Sequence, residues 1–133
     1  MCPSLRPPPV PPHHNLSYGY NEVGTGYGNT SDVERGTLGL LFGTVGLPES
    51  GLAVASDMIA IGDVMEFGAE DGDIAANFHE PDDWVAERHS KGGNVVFCDD
   101  HVEYDKQVNW MKADDTHRRR WNRDNLPHSD TWQ

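Results

Sequence analysis

Residues Arg88 to Tyr104 read RHSKGGNVVFCDDHVEY. Within them, Asp99-Asp100 separates two runs rich in Val, Phe and Tyr, which is the pattern of a β-hairpin. A two-residue loop needs positive φ at its central positions, and Asp tolerates that better than most residues, though less well than Gly. Counting outward from an Asp99-Asp100 turn pairs Cys98 with His101, Phe97 with Val102, Val96 with Glu103 and Val95 with Tyr104. Val95, Phe97, Val102 and Tyr104 then share an apolar face. Val96, Cys98, His101 and Glu103 share a mixed one. The expectation is a hairpin with one face on a core and one towards solvent.

Outward from the hairpin, the chain supports one small domain. Its 133 residues are only 36% hydrophobic and include 14 Gly and 9 Pro, so long loops and a modest core are expected. A formal charge of −12 argues against nucleic acid as a general partner. Residues 1–14 hold six prolines and end in His13-His14, which reads as an extended arm, a linker or a ligand for a partner domain. Residues 15–133 would form the domain. Ser17–Tyr20 and Met58–Ile61 read as further strands, the latter central because it is apolar on both faces. Asp63 at its end reads as a turn cap by default, with a functional role as the other reading.

Other segments are less regular. GTGYG at 24–28 lacks the Lys-Ser/Thr of a phosphate loop, and a plain loop is the better account. GTLGLLFGTVGL at 36–47 carries Gly too often for a helix and reads as irregular packed structure. Residues 82–89, DDWVAERH, suggest a short helix with acids at its start, Arg88 and His89 at its end and Trp84 anchoring it. In the C-terminal region Trp110 and Trp121 read as packing anchors. Trp132 is expected to fold back onto the body. Arg118, Arg119, Arg120 and Arg123 form a basic cluster, expected to pair with acidic loops of the same chain, or else to meet an acidic partner or another subunit. The fold class that follows is α+β: a small twisted antiparallel sheet built on Ser17–Tyr20, Met58–Ile61, Asn94–Cys98 and His101–Tyr104, with long Gly-rich loops and little helix.

The hairpin words also resemble a known family, the prepilin-type processing-associated H-X9-DG proteins, which are pseudopilin-like relatives of the type II secretion G group. His89 is followed by nine residues and then Asp99; the next residue is Asp100 rather than Gly. The motif residues are His89, Gly92, Gly93, Asn94, Asp99, Asp100 and His101. Cys2-Pro3-Ser4, Ser17–Asn21 (SYGYN), Ser56–Asp63 (SDMIAIGD) and the tail Arg118–Trp132 (RRRWNRDNLPHSDTW) are similar to further family segments, in the family's order. Met1 leads straight into the proline-rich segment, and no stretch approaches the roughly 18 apolar residues of a membrane span. The resemblance therefore covers the C-terminal globular part of such a protein. It implies a non-enzymatic structural subunit of a bacterial envelope fibre or type II secretion-like apparatus. Its partners would be other subunits, and it would sit at the cell envelope or its outer face.

Several candidate sites accompany that reading. Asp71-Gly72-Asp73 places oxygen ligands around a glycine turn, and the resemblance implies calcium as the ion to consider, with Asp71, Asp73, Asp99 and Asp100 as its carboxylates. Cys2 and Cys98 could bridge, worth roughly 4–5 kcal/mol in the chain-entropy model, or remain free thiols. A different class of function, a small metal-dependent hydrolase, would use His89, Asp99, Asp100 and His101. Cys98 and His101 also have the types for a nucleophile pair, though no oxyanion hole is recognisable. A strand of about 5–6 residues, roughly 17–20 Å, separates His89 from Asp99, so the two are expected to have separate local roles. A third class, a secreted glycan- or peptide-binding module, would use the Tyr- and Gly-rich loops, Tyr27 among them.

Overall fold

The computed structural model describes residues 17–26, 37–42, 45–64, 74–76 and 84–132. The strands are β1 (Tyr18–Tyr20), β2 (Leu41–Phe42), β3 (Val45–Gly46), β4 (Ile59–Asp63), β5 (Gly92–Phe97) and β6 (Val102–Lys106). Four of them form one antiparallel sheet in the order β1-β4-β5-β6, and β2 pairs with β3 as a separate two-stranded ribbon. Among the described residues, helix is confined to two four-residue turns, α1 (Gln107–Trp110) and α2 (Asp115–Arg118), and short 3-10 turns. The architecture is thus the small antiparallel α+β fold expected from the sequence, with the SDMIAIGD strand in a central position.

One face of the sheet carries the core. Ile59 of β4 and Val95 and Phe97 of β5 are buried with Val64, Ile74, Ala76, Val85, Trp110, Met111 and Trp121, and Trp84 packs against their edge. Trp110 and Trp121 are the anchors that their size suggested. The indole Nε1 of Trp110 donates to the carbonyl of Gly93 at 3.0 Å, and that of Trp121 donates to the carbonyl of Trp110 at 3.3 Å. Both polar tips are satisfied, so burial of the rings costs nothing in lost hydrogen bonds. Trp132 folds back only in part: it is half-buried, with its indole donating to the carbonyl of Pro127.

The hairpin register differs by one residue from the count made on the sequence. Val96 faces Val102, Val95 faces Glu103 and Asn94 faces Tyr104. The loop holds three residues, Cys98, Asp99 and Asp100. The Asp100 amide donates to the Phe97 carbonyl at 3.0 Å, and the Phe97 amide to the His101 carbonyl at 2.9 Å. Asp100 has φ 72°. This is the three-residue hairpin connection in which a tight turn is followed by one left-handed residue. A one-residue slip moves every side chain of a strand to the opposite face. Val102 and Tyr104 are consequently 59% and 48% exposed instead of lying in the core. His101 and Glu103 take the side that Val95 and Phe97 occupy.

A second correction concerns residues 82–89. Asp82 and Asp83 lie outside the described residues, and 84–89 is not helical: it holds isolated bridges at Val85 and His89 with a turn beginning at Arg88. Val85 bridges to Val64, and the amide of Ala86 donates to the carbonyl of Asp63 at 2.8 Å. The fully buried Val85 gains more from pairing beside β4 than a short, isolated helix could return. The segment then reverses through Ser90 and Lys91, with φ 50° and 68°. The amide of His89 donates to the carbonyl of Gly92 at 2.9 Å, and that of Gly92 to the carbonyl of His89 at 3.0 Å. The two-residue turn with positive φ at both positions therefore lies before β5, not after it.

Candidate functional site

The motif residues fall into polar nodes spread along the sheet. The first surrounds Asp63, which was read as a turn cap. It is only 1% exposed, so its carboxylate needs internal partners. Its Oδ2 accepts from the Asn94 amide at 2.8 Å and from Asn94 Nδ2 at 3.2 Å, and lies 3.6 Å from His89 Nε2. Asn94 replaces a ladder partner with a side chain here. A β-carbon on Gly93 would lie 2.8 Å from both the Ala86 carbonyl oxygen and Val85 Cγ1. Gly93 therefore lets the 85–86 segment lie close against β5. At Gly92 the same atom would come within 2.2 Å of the Asp105 carbonyl oxygen. The Tyr104 hydroxyl donates to the carbonyls of His89 at 2.6 Å and Ser90 at 3.3 Å, bracing the turn from the outside.

The second node is the hairpin tip. His101 stacks flat on Phe97, with ring centroids 4.3 Å apart and planes at 4°. Its Nδ1 meets Asp99 Oδ1, and its Nε2 lies 3.1 Å from Glu103 Oε1. Glu103 Oε2 accepts from Arg120 at 2.6 Å, and Arg120 Nε donates to Asp57 at 3.0 Å. Asp57 also holds Arg119 Nε at 3.2 Å and Asn125 Nδ2 at 3.0 Å. Arg119 and Arg120 thus pair internally. Arg118, wholly buried, instead donates to the carbonyls of Ala76 at 2.8 Å and Met111 at 2.6 Å. Burial pulls the Arg118 guanidinium down to about 10, partly offset by Asp114.

A third node, centred on Asn21, carried no signal in the sequence reading beyond its place in SYGYN. Asn21 is fully buried. Its Nδ2 donates to the carbonyls of Ile59 at 2.8 Å and Trp121 at 2.9 Å, and its Oδ1 accepts from the Gly24 amide at 2.9 Å. Asn122 does the matching work beside it, accepting from the Thr25 amide at 3.0 Å and donating to the Leu126 carbonyl at 2.8 Å. An Asn flanked by a Tyr-Gly-Tyr run and a distant Trp-Asn pair is the only trace of this network in the sequence.

The four residues of the hydrolase reading do not converge. His89 sits beside Asp63 at the start of β5, whereas Asp99, Asp100 and His101 lie past its far end. A six-residue strand puts roughly 20 Å between those ends. The Asp99 carboxylate is engaged by His101, and Asp100 is exposed. Among the described residues, no group of three or more His, Cys, Asp and Glu side chains is set to hold a metal ion. Asp71 and Asp73 lie outside the described residues, as do Cys2, His13, His14 and Tyr27. Cys98 faces away from His101, whose cross-strand neighbour is Phe97. Burial and the Asp99 carboxylate both push the Cys98 thiol up, away from the thiolate that nucleophilic attack requires.

Among the described residues, the face of the sheet opposite the core carries a group of exposed apolar and tyrosine side chains. Tyr20, Ile61, Val96 and Val102 form one row across all four strands, flanked by Tyr18 and Tyr104. Tyr18, Tyr20, Ile61, Val102 and Tyr104 are all exposed. Such a face suits packing against another surface better than chemistry. Among the described residues no helix is long and apolar enough to cross a membrane. Comparison with protein-family models, with curated proteins and with solved structures gives no match to this chain.

Proposed function

We propose that this chain is the globular head of a pseudopilin-like protein, a non-enzymatic structural subunit of a bacterial envelope fibre or type II secretion-like apparatus. The observation that carries the reading is that the separate segments behind the resemblance touch one another. Asn21 of SYGYN bonds to Ile59 of SDMIAIGD and to Trp121 of the tail. Asp57 of SDMIAIGD pairs with Arg119 and Arg120 of the tail, and Asp63 with His89 and Asn94 of the H-X9-D stretch. Segments that meet in one polar framework are what a shared fold requires. The turn chemistry agrees. The motif's Gly corresponds to Asp100, the one residue of the loop in the left-handed region, where Gly is favoured. The open tyrosine face offers area for contact with other subunits.

The test is cross-linking in the native cell, with a photoreactive residue placed at Tyr18 or Val102 and fractions separated into envelope and cytosol. Envelope recovery with cross-links to itself or to other fibre subunits is the expected result. A cytosolic monomer that binds zinc stoichiometrically and loses a hydrolytic activity on His101→Ala would replace this reading with the hydrolase.

A further inference from the structure

The histidine at the hairpin tip is placed so that only its protonated form satisfies its neighbours. Both ring nitrogens of His101 face carboxylates, Asp99 on Nδ1 and Glu103 on Nε2. An ionised carboxylate only accepts hydrogen bonds, and a neutral imidazole carries a proton on one nitrogen and a lone pair on the other. The neutral ring can therefore serve one carboxylate while directing a lone pair at the second. The imidazolium donates to both.

The next links extend this beyond the hairpin. Glu103 holds Arg120, which holds Asp57, which holds Arg119. With His101 protonated, the chain of groups alternates strictly: Asp99 negative, His101 positive, Glu103 negative, Arg120 positive, Asp57 negative, Arg119 positive. Without that proton, two carboxylates flank an uncharged ring and the alternation is broken at the tip. Arg120 also lies over the Phe97 ring, 4.6 Å from guanidinium carbon to centroid, and Phe97 is the ring on which His101 stacks. The tip of β5–β6, the turn before β4 and the C-terminal 3-10 turn (Arg119–Trp121) therefore share one ionic seam.

We propose that His101 is a proton-operated latch. Its imidazolium fastens the Asp99 loop to Glu103, the residue that holds Arg120 of the C-terminal segment, and loss of the proton unfastens the loop. The charged and titratable groups around the ring are Asp99 and Asp100 in the loop, Cys98 beside them, Glu103 on β6, and Arg120 from the C-terminal turn. Arg119 and Asp57 lie one contact further. The hydrogen bond to Glu103, then that to Asp99, raises the His101 pKa above its ordinary value. A histidine raised on folding contributes stability that is complete below the unfolded value of about 6.5 and is lost as pH climbs through the folded value. Burial works against Glu103, but the hydrogen bond from Arg120 and then that from His101 hold it below its ordinary range, and the bond to His101 does the same for Asp99, so the acid side of the latch stays charged well into the carboxylate region. The latch is thus closed in mildly acidic surroundings and open in alkaline ones.

The test is an NMR titration of the His101 ring in the whole wild-type chain, with amide exchange read at Asp100 and His101 over the same pH range. The expected midpoint lies above 6.5, the unperturbed value. Across it, exchange at the tip should accelerate at least about tenfold beyond its intrinsic pH dependence, as local opening without global unfolding would give. Glu103→Gln, which keeps the shape and removes the charge, should lower the midpoint and abolish the extra acceleration. A wild-type midpoint at or below 6.5 overturns the proposal whether or not the variant folds. So does an exchange profile identical in wild type and Glu103→Gln.

Discussion

Replacing Asp100 by Gly should stabilise the protein, whereas the same change one residue earlier should destabilise it. Asp100 has φ 72° as the last residue of the hairpin loop. An L-residue in that region costs about 1–2 kcal/mol, with Asp towards the low end because its short polar side chain is tolerated there. Glycine bears no such cost but surrenders about 0.5–1 kcal/mol of extra backbone freedom on folding. The Asp100 side chain is exposed, so little else changes. The difference is a gain of up to about 1 kcal/mol, or a rise of roughly 2–5 °C in melting temperature for a domain of this length. Asp100→Ala keeps the left-handed cost and loses the tolerance of Asp, so it should fall below wild type by about 1 kcal/mol. Asp99 is different: its φ is not positive and its carboxylate holds both the amide and the ring of His101. Asp99→Gly loses those bonds and adds freedom to the unfolded chain. Urea unfolding followed by fluorescence of the buried Trp110 and Trp121 would read all three variants at constant slope. Equal midpoints for Asp100→Gly and Asp100→Ala, or stabilisation by Asp99→Gly, would refute the three-residue loop.

Three further outcomes follow from the nodes. Gly93→Ala should cost about 2 kcal/mol in a urea melt, because its β-carbon would meet backbone oxygen and a buried methyl at 2.8 Å and neither can swing away. Tyr104→Phe should cost about 0.5–1 kcal/mol through the lost bond to the His89 carbonyl, with faster amide exchange at His89 and Gly92 and little change elsewhere. Asp114 caps α2 by accepting from the His117 amide at 2.9 Å, and bonds to the His117 ring and amide hold its carboxyl far below the usual range. A carboxylate depressed on folding contributes stability above its unfolded value that is lost as pH falls through its folded one. Asp114→Ala should therefore lower the melting temperature at neutral pH and flatten the decline seen below about pH 4.

How far the sequence could be read depended on how local the deciding interaction was. The strands were legible because Val95, Phe97, Ile59 and Tyr18–Tyr20 carry β-branched or aromatic side chains between turn residues, and that signal needs only near neighbours. The register was not, because a two-residue and a three-residue loop differ in whether Cys98 pairs or turns, and Cys98 is at home in either. The Gly that the resembled H-X9-DG motif carries where this chain has Asp100 was the available clue: a single Gly closing a three-residue loop marks the left-handed position after a tight turn. Ser90-Lys91 gave no warning, since neither residue favours positive φ; the turn is imposed by Val85 and Ala86 pairing beside β4 on one side and by β5 on the other. Asp63 was misread for a related reason. Its partners lie 26 and 31 residues away, and an acid at the end of an apolar run looks the same whether it caps a turn or is buried.

The register also changes what the hairpin is for. Under the two-residue count, Val102 and Tyr104 would supply core and His101 would face solvent beside Cys98. In the structure the edge strand gives the core side His101 and Glu103, and presents Val102 and Tyr104 outward in line with Tyr20, Ile61 and Tyr18. An edge strand that points carboxylate and imidazole inward is not there to enlarge the core. It ties the sheet to the C-terminal segment through Arg120, and it leaves an apolar surface uncovered on the other side. Both features fit the subunit proposed above, which would hold its C-terminal segment in place and meet neighbours across its sheet. A domain whose chemistry lay between His89 and His101 would need the two ends of β5 to meet, which a six-residue strand prevents.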